Sequence, residues 1–207
     1  MPKRNRIKIY GSEQYYHLYN RGVNRQDIFH EPEDYFYFLG LFKRHLSEEA
    51  VTDSSGRPFA KFNDEVELVA FCLMPNHFHL LCYLKESEGI VRLMRSVMTA
   101  YTMYFNKKYQ RTGGLYEGPF LASRIENETY LWHVSRYIHL NPLDIGQGFR
   151  HYPYSSIAYF AGEKRADWLH INNLVDTDKD AREYLEFVAD YETMHQDLKY
   201  LKNILAA

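Results

Sequence analysis

The sequence predicts an α+β fold: a four-stranded antiparallel sheet with helices on one face, followed by a helical C-terminal extension. Three observations lead there. Four short apolar or alternating runs read as strands, at residues 15–21, 66–73, 77–84 and 120–125. Helical periodicity fills two of the gaps between them, after Pro32 and over 87–109. Turn signals punctuate the chain at Gly22, at Met74-Pro75-Asn76 and at Gly113-Gly114.

Each element has its own justification. Tyr15 to Arg21 is a strand closed by Gly22. Pro32 opens a helix that places Phe36, Leu39 and Phe42 at helical spacing. Residues 50–64, rich in Ser, Asp and Gly, form a loop. Val66–Leu73 and His77–Leu84 are apolar strands joined by the turn Met74-Pro75-Asn76, which makes them a hairpin. The next helix, roughly Ser87 to Tyr109, carries Ile90, Leu93, Met94, Val97, Tyr101, Tyr104 and Phe105 on one face. Gly113-Gly114 breaks the chain, and Phe120 to Ile125 is the fourth strand. Asn127 can cap a helix that runs to Asn141, where Pro142 ends it. The order β-α-β-β-α-β is the ferredoxin-like one. Residues 1–160 form the principal domain, and 161–207 an extension dominated by a helix from Asp178 to Leu205.

The 207 residues, 45% hydrophobic and 25% charged, suit a soluble globular chain. No apolar run is long enough to span a bilayer, and the basic start Met1-Pro-Lys-Arg-Asn-Arg lacks the apolar stretch of a secretory signal. Cys72 and Cys82 lie in strand-like apolar surroundings, which favours reduced thiols and a cytoplasmic setting. The net charge of −2 argues against a protein that coats nucleic acid, but the distribution is uneven. Lys3, Arg4, Arg6 and Lys8 make a basic arm; six Lys or Arg residues lie between Arg92 and Arg124 against one acid, Glu117. The acids gather later, at Asp176, Asp178, Asp180, Glu183, Glu186 and Asp190. Nineteen tyrosines among basic residues suit stacking on unpaired bases, although most such rings fill cores.

Two constellations carry chemistry. His77 and His79 alternate with Phe78, so on a strand both imidazoles face one side and can grip one divalent cation. Tyr137 and Asn141 are four apart on one helical face, beside an apolar stripe of Leu131, Val134 and Ile138 that would dock on the sheet. An amide oxygen from Asn141 could complete a three-ligand site that leaves positions open for water and phosphate oxygens. Taken singly, a packed tyrosine, a helix-end asparagine and a pair of surface histidines are the plainer readings.

Four ordered segments, Tyr16–Phe29, Cys72–Leu81, Ser135–Leu143 and Tyr152–Ser156, together resemble the REP-associated tyrosine transposases. These belong to the single-tyrosine group of the HUH endonucleases. The resemblance spans residues 15–160 and implies a metal-dependent endonuclease and strand transferase acting on single-stranded DNA near hairpins. It implies Tyr137 as the nucleophile that forms a 5′-phosphotyrosine, and His77, His79 and Asn141 as ligands of Mg²⁺ or Mn²⁺. It implies a monomer or homodimer working at the nucleoid, with no membrane partner. The chain departs from the pattern at Pro119 and Leu121, where basic residues are common, so a weakly active or inactive DNA-binding regulator on the same fold is the alternative.

Candidate DNA contacts are Arg21, Asn24 and Arg25, whose side-chain types can read base edges, and Arg92, Arg95, Lys107, Lys108 and Arg111, suited to the backbone. Turn chemistry and an ordinary solvated helix face explain the same residues. His133, one turn before Tyr137, could assist with protons but reads more simply as an exposed polar residue. A metal-dependent hydrolase that joins the histidine pair to Glu117 or Glu126 is a third reading, and it would not need Tyr137.

Overall fold

The computed structural model describes residues 10–205, with side chains to residue 192; the basic arm at Lys3, Arg4, Arg6 and Lys8 lies outside the described residues. Four strands form one sheet: β1 (Gln14–Arg21), β2 (Val66–Met74), β3 (His77–Leu84) and β4 (Leu121–Ile125). Their order across the sheet is β2-β3-β1-β4, with all neighbours antiparallel. Two helices, α1 (Pro32–Leu46) and α2 (Gly89–Lys108), make the connections β1–β2 and β3–β4. They share one face of the sheet, as the sequence order requires.

The chain beyond β4 covers the second face. Helix α3 (Glu128–Leu140), the short α4 (Ile157–Phe160) and the long α5 (Asp178–Leu205) pack there. The sheet is therefore buried on both sides, which is why β2 and β3 read as nearly unbroken apolar runs rather than as alternating ones. Phe38, Leu93, Val97 and Tyr101 close the first core over Leu18, Phe78 and Leu80. Leu131, Val134 and Ile138 of α3 close the second over Cys72, Leu81 and Ile125. Each fully buried side chain of this kind contributes about 1.5–3 kcal/mol.

A register shift between Leu68 and Ala70 changes the phase of β2. Before it, Val66 and Leu68 face α1 and α2; after it, Phe71 and Leu73 do, while Ala70, Cys72 and Met74 face α3. Cys72 and Cys82 fall into different cores, so both are buried free thiols.

Local chemistry sets the helix starts. Glu31 and Asp34 form a reciprocal capping box at α1, with Pro32 in the first turn. The Asn127 side chain accepts from the Tyr130 N–H at 2.9 Å to cap α3. Pro142 does not end that helix abruptly: α3 stops at Leu140 and continues as a tight 3-10 turn over Asn141–Ile145. Residues beyond 160 add to both cores, with Trp168 and Leu169 in the first and Leu174, Val175, Ala181, Tyr184 and Val188 in the second. No helix among the described residues is long and apolar enough to cross a membrane.

Candidate active site

The strand parity of β3 decides which way the histidines face. Phe78 enters the first core, with its ring 5.3 Å from Phe38. His77 and His79 therefore face α3, side by side, with ring centroids 5.1 Å apart and nearly perpendicular. His77 Nδ1 lies 2.6 Å from the Asn76 side-chain oxygen, an acceptor that fixes the proton on Nδ1 and leaves Nε2 as a lone-pair donor. His79 Nδ1 lies 2.9 Å from His17 Nε2 on the neighbouring strand. When His17 accepts that bond, His79 Nε2 is likewise a lone-pair donor.

Burial keeps these rings neutral. His79 sits at 7% exposure, and its pKa falls well below the ordinary histidine value through burial, then through His17 and His77. Burial also lowers His77, partly offset by the Asn141 side chain and the charge of Asp144, both of which favour the protonated ring. His17 is pushed down to about 4 by burial. Neutral imidazoles are the form that binds metal.

Helix α3 brings the other half of the site. Its apolar stripe docks on the sheet, and Tyr137 emerges at the edge of that stripe, 46% exposed. The Tyr137 ring lies 5.4 Å from His79 and 6.1 Å from His17, edge-on to both. Asn141 is buried one turn on, where its Nδ2 donates to the Tyr137 carbonyl at 2.8 Å. With the amide nitrogen so engaged, Oδ1 is the atom Asn141 can present to a cation. Its side chain also reaches both His77 and the Tyr137 hydroxyl. Burial of the oxygen end and the negative charge of Asp144 raise the Tyr137 pKa; the Asn141 bond opposes them.

Two neutral imidazoles and one amide oxygen thus converge beside a half-exposed phenol. That donor set fits a divalent cation of the Mn²⁺ type, with positions open to water or phosphate oxygens. Among the described residues, no group of three His, Cys, Asp or Glu side chains is placed to hold a metal.

Sequence reasoning missed His17 and Asp144. His17 shares a face with Tyr15 and Tyr19 by simple alternation, but its bond to His79 requires knowing that β1 pairs with β3. Asp144 comes seven residues, two helical turns, after Tyr137, and the 3-10 turn after Leu140 keeps it near.

The expected DNA contacts separate into two groups. Arg21 and Arg25 line a cavity of about 360 Å³ that also touches His77 and His79. Asn24 belongs to the turn beneath it, with a left-handed φ of 53°. Arg92, Arg95, Lys107, Lys108 and Arg111 belong to α2 or its end, on the opposite face of the sheet. Arg92 pairs with Glu65, and Lys108 with Glu31 at 2.5 Å and buried Asp34 at 2.8 Å. Arg111 packs on the Phe105 ring, 5.5 Å from its centroid. Acids at the starts of α1 and β2 thus engage Lys108 and Arg92, and an aromatic ring engages Arg111. Arg95 and Lys107 are exposed. His133 is exposed and bonded to Arg136 at 2.7 Å. Glu126 is exposed and faces Arg124, whereas Glu117 lines the cavity and grips Arg21.

Residues 57–141 match the sequence model of a family described as transposase, IS200-like. That span holds His77, His79, Tyr137 and Asn141. A comparison with curated proteins found no match. Seven chains of solved structures match. One of them, a REP-associated tyrosine transposase bound to a REP hairpin, has a TM-score of 0.54 and 16% identity, over 82% of this chain and 92% of that one. At that identity the likeness speaks for the fold.

Proposed function

We propose, from the match of residues 57–141 to the IS200-like transposase model, that the protein cuts and rejoins single-stranded DNA beside a hairpin. The observation that carries this reading is the approach of Tyr137 on α3 to the histidine pair on β3, bridged by Asn141. A half-exposed phenol held against two neutral imidazoles has little structural purpose, since a packing tyrosine would be covered. The solved relative, which holds a REP hairpin, supports hairpin DNA as the substrate.

In this reading the Tyr137 oxygen attacks a backbone phosphorus in line. The bond to the 3′ oxygen breaks, leaving a 5′-phosphotyrosine and a free 3′-hydroxyl. The bond energy stays in the covalent intermediate, so the reverse attack by a hydroxyl rejoins strands without ATP. Tyr137 must shed its proton during attack, against a raised pKa. A divalent cation held by His77, His79 and Asn141 would supply Lewis-acid stabilisation of the phosphate charge. His17 and Asn76 would fix the two imidazoles in the ligating tautomer.

The test is a denaturing gel of the protein with labelled single-stranded DNA carrying a hairpin from its own genomic flanks, with Mn²⁺ or Mg²⁺. A covalent protein–DNA band is expected, lost in Tyr137→Phe and in EDTA. Pro119 and Leu121, which bring no positive charge to the edge of the site, favour a second reading as a binder without chemistry. Hairpin affinity with no adduct under either metal would select it.

A further inference from the structure

We propose that the outer face of α1 and α2 is an interface for a second copy of this chain, packed about a two-fold axis that crosses α1 midway between Tyr37 and Gly40 and crosses α2 at Met103. This contact does not depend on the strand-cleavage reading.

The two most exposed large hydrophobic side chains among the described residues lie on this face, Phe36 of α1 at 60% and Met103 of α2 at 69%. Between the helices Tyr37 and Tyr104 stack, with 3.9 Å between centroids and 11° between planes. The stacked pair lines two hollows, of about 430 and 680 Å³. Contiguous apolar surface of this kind marks an interaction site.

Gly40 points to a helix as the occupant. It sits inside α1, where glycine lowers helix stability relative to alanine. Nothing within the molecule requires it: a Cβ there would meet no atom within 4 Å, and its φ is not left-handed. It lines the first hollow with Glu33, Phe36, Tyr37, Arg44 and Tyr104. A notch with open space above it can receive a side chain from outside.

The pattern along α1 reads the same from both ends. Glu33, Tyr37, Gly40 and Arg44 follow at intervals of four, three and four, a stripe of the kind that packs against another helix. Turning a second copy about the midpoint sets Tyr37 of each copy on Gly40 of the other, a ring into a notch. It also sets Glu33 on Arg44, acid on base. Among the described residues neither Glu33 nor Arg44 makes a salt bridge within the chain. Helix α2 fits the same axis. It runs antiparallel to α1, with Lys108 beside Asp34, Tyr104 beside Tyr37 and Tyr101 beside Phe38. The axis therefore passes Met103, which meets its own counterpart. Such self-complementarity is what a two-fold contact needs, whereas Glu33 on the stripe would repel a phosphate backbone. The histidine pair and Tyr137 lie beyond the other face of the sheet, so a dimer of this form leaves both sites open.

The test is sedimentation equilibrium of the full-length protein over a range of concentrations, without DNA. A monomer–dimer equilibrium is expected. Glu33→Arg and Arg44→Glu should each weaken it by about 5- to 30-fold, and the double variant should recover it. Gly40→Leu fills the notch and should abolish the dimer while the chain keeps its helical content and a cooperative unfolding transition, because leucine is the better helix former. Met103→Cys adds an exposed thiol to two buried ones and should give a disulfide-linked dimer on oxidation. A monomer at every concentration, or a dimer in which the double reversal fails to recover what the single ones lose, overturns the interface. A monomeric protein that loses affinity for a labelled single-stranded oligonucleotide in Phe36→Glu gives the face to DNA and overturns it too.

Discussion

His17 shows how much one unsuspected side chain can govern. It bonds the inner nitrogen of His79, and such outer partners of ligating histidines typically change metal affinity by about 10- to 100-fold when removed. His17→Phe should weaken Mn²⁺ binding by that factor in calorimetry while the fold persists; unchanged affinity would mean that His79 needs no help. Gly22 is the converse, a residue fixed by space. A Cβ there would collide with the Gln26 carbonyl oxygen and the Ile28 side chain. Gly22→Ala should cost about 2–4 kcal/mol in urea unfolding, since the clash is largely with backbone. The histidine pair was legible in the sequence because strand parity is local. His17 was not, because its partner lies 62 residues away and only the strand pairing brings them together.

At the scale of elements, the placement of α3 depends on α5. Tyr184 of α5, fully buried, donates to Ser135 at 3.1 Å and meets His139 Nδ1 at 2.7 Å. His139 Nε2 in turn meets Ser156 at 2.7 Å, and Ser156 bonds the N–H of Phe71 on β2. This closed network ties the helix that carries Tyr137 to the sheet that carries the histidines. Tyr184→Phe leaves buried polar atoms unmatched and should cost about 1–3 kcal/mol in denaturant unfolding. It should also slow adduct formation more than it weakens DNA binding. Equal loss in both would show that α5 supports the whole fold and not the placement of α3. The helices were readable from periodicity: α2 spans two residues less at the start than expected, and one less at the end. What α2's cations do was not readable. A polar helix face looks the same whether it meets solvent, DNA or, as for Lys108, a buried carboxylate on another helix.

Over the whole molecule, buried neutral histidines make the fold sensitive to acid. Burial lowers His139 to about 3 and His17 to about 4, against about 6.5 in an unfolded chain. Above pH 6.5 both states are neutral and the contribution to stability is complete. Below it the unfolded chain takes up protons that the folded chain refuses. Stability should therefore fall by about 1.4 kcal/mol per pH unit for each such histidine, until the folded values are reached. Urea unfolding at pH 7, 6 and 5 measures this slope. His139→Gln should flatten it, and an unaltered slope in that variant would assign the acid sensitivity elsewhere. The sheet order was legible from the sequence of elements, because the β-α-β-β-α-β pattern admits few topologies. The second helical layer was not, because nothing in a helix's own periodicity tells which side of a sheet it will choose.

The phase shift in β2 has a genetic consequence. Downstream of Leu68, the side of the sheet each residue faces depends on one extra residue, so the strand behaves like a spatial reading frame. Deleting Val69 removes that extra residue itself and leaves Phe71, Leu73, Cys72 and Met74 on their native sides, whereas deleting Cys72 would be an in-frame change in the gene and a frameshift in the fold: Leu73 and Met74 would trade sides. In the loop over 50–64 a single deletion changes no such parity. A library of one-codon deletions screened for soluble expression should therefore retain losses between 50 and 64 and the loss of Val69, and lose nearly all others between 66 and 84.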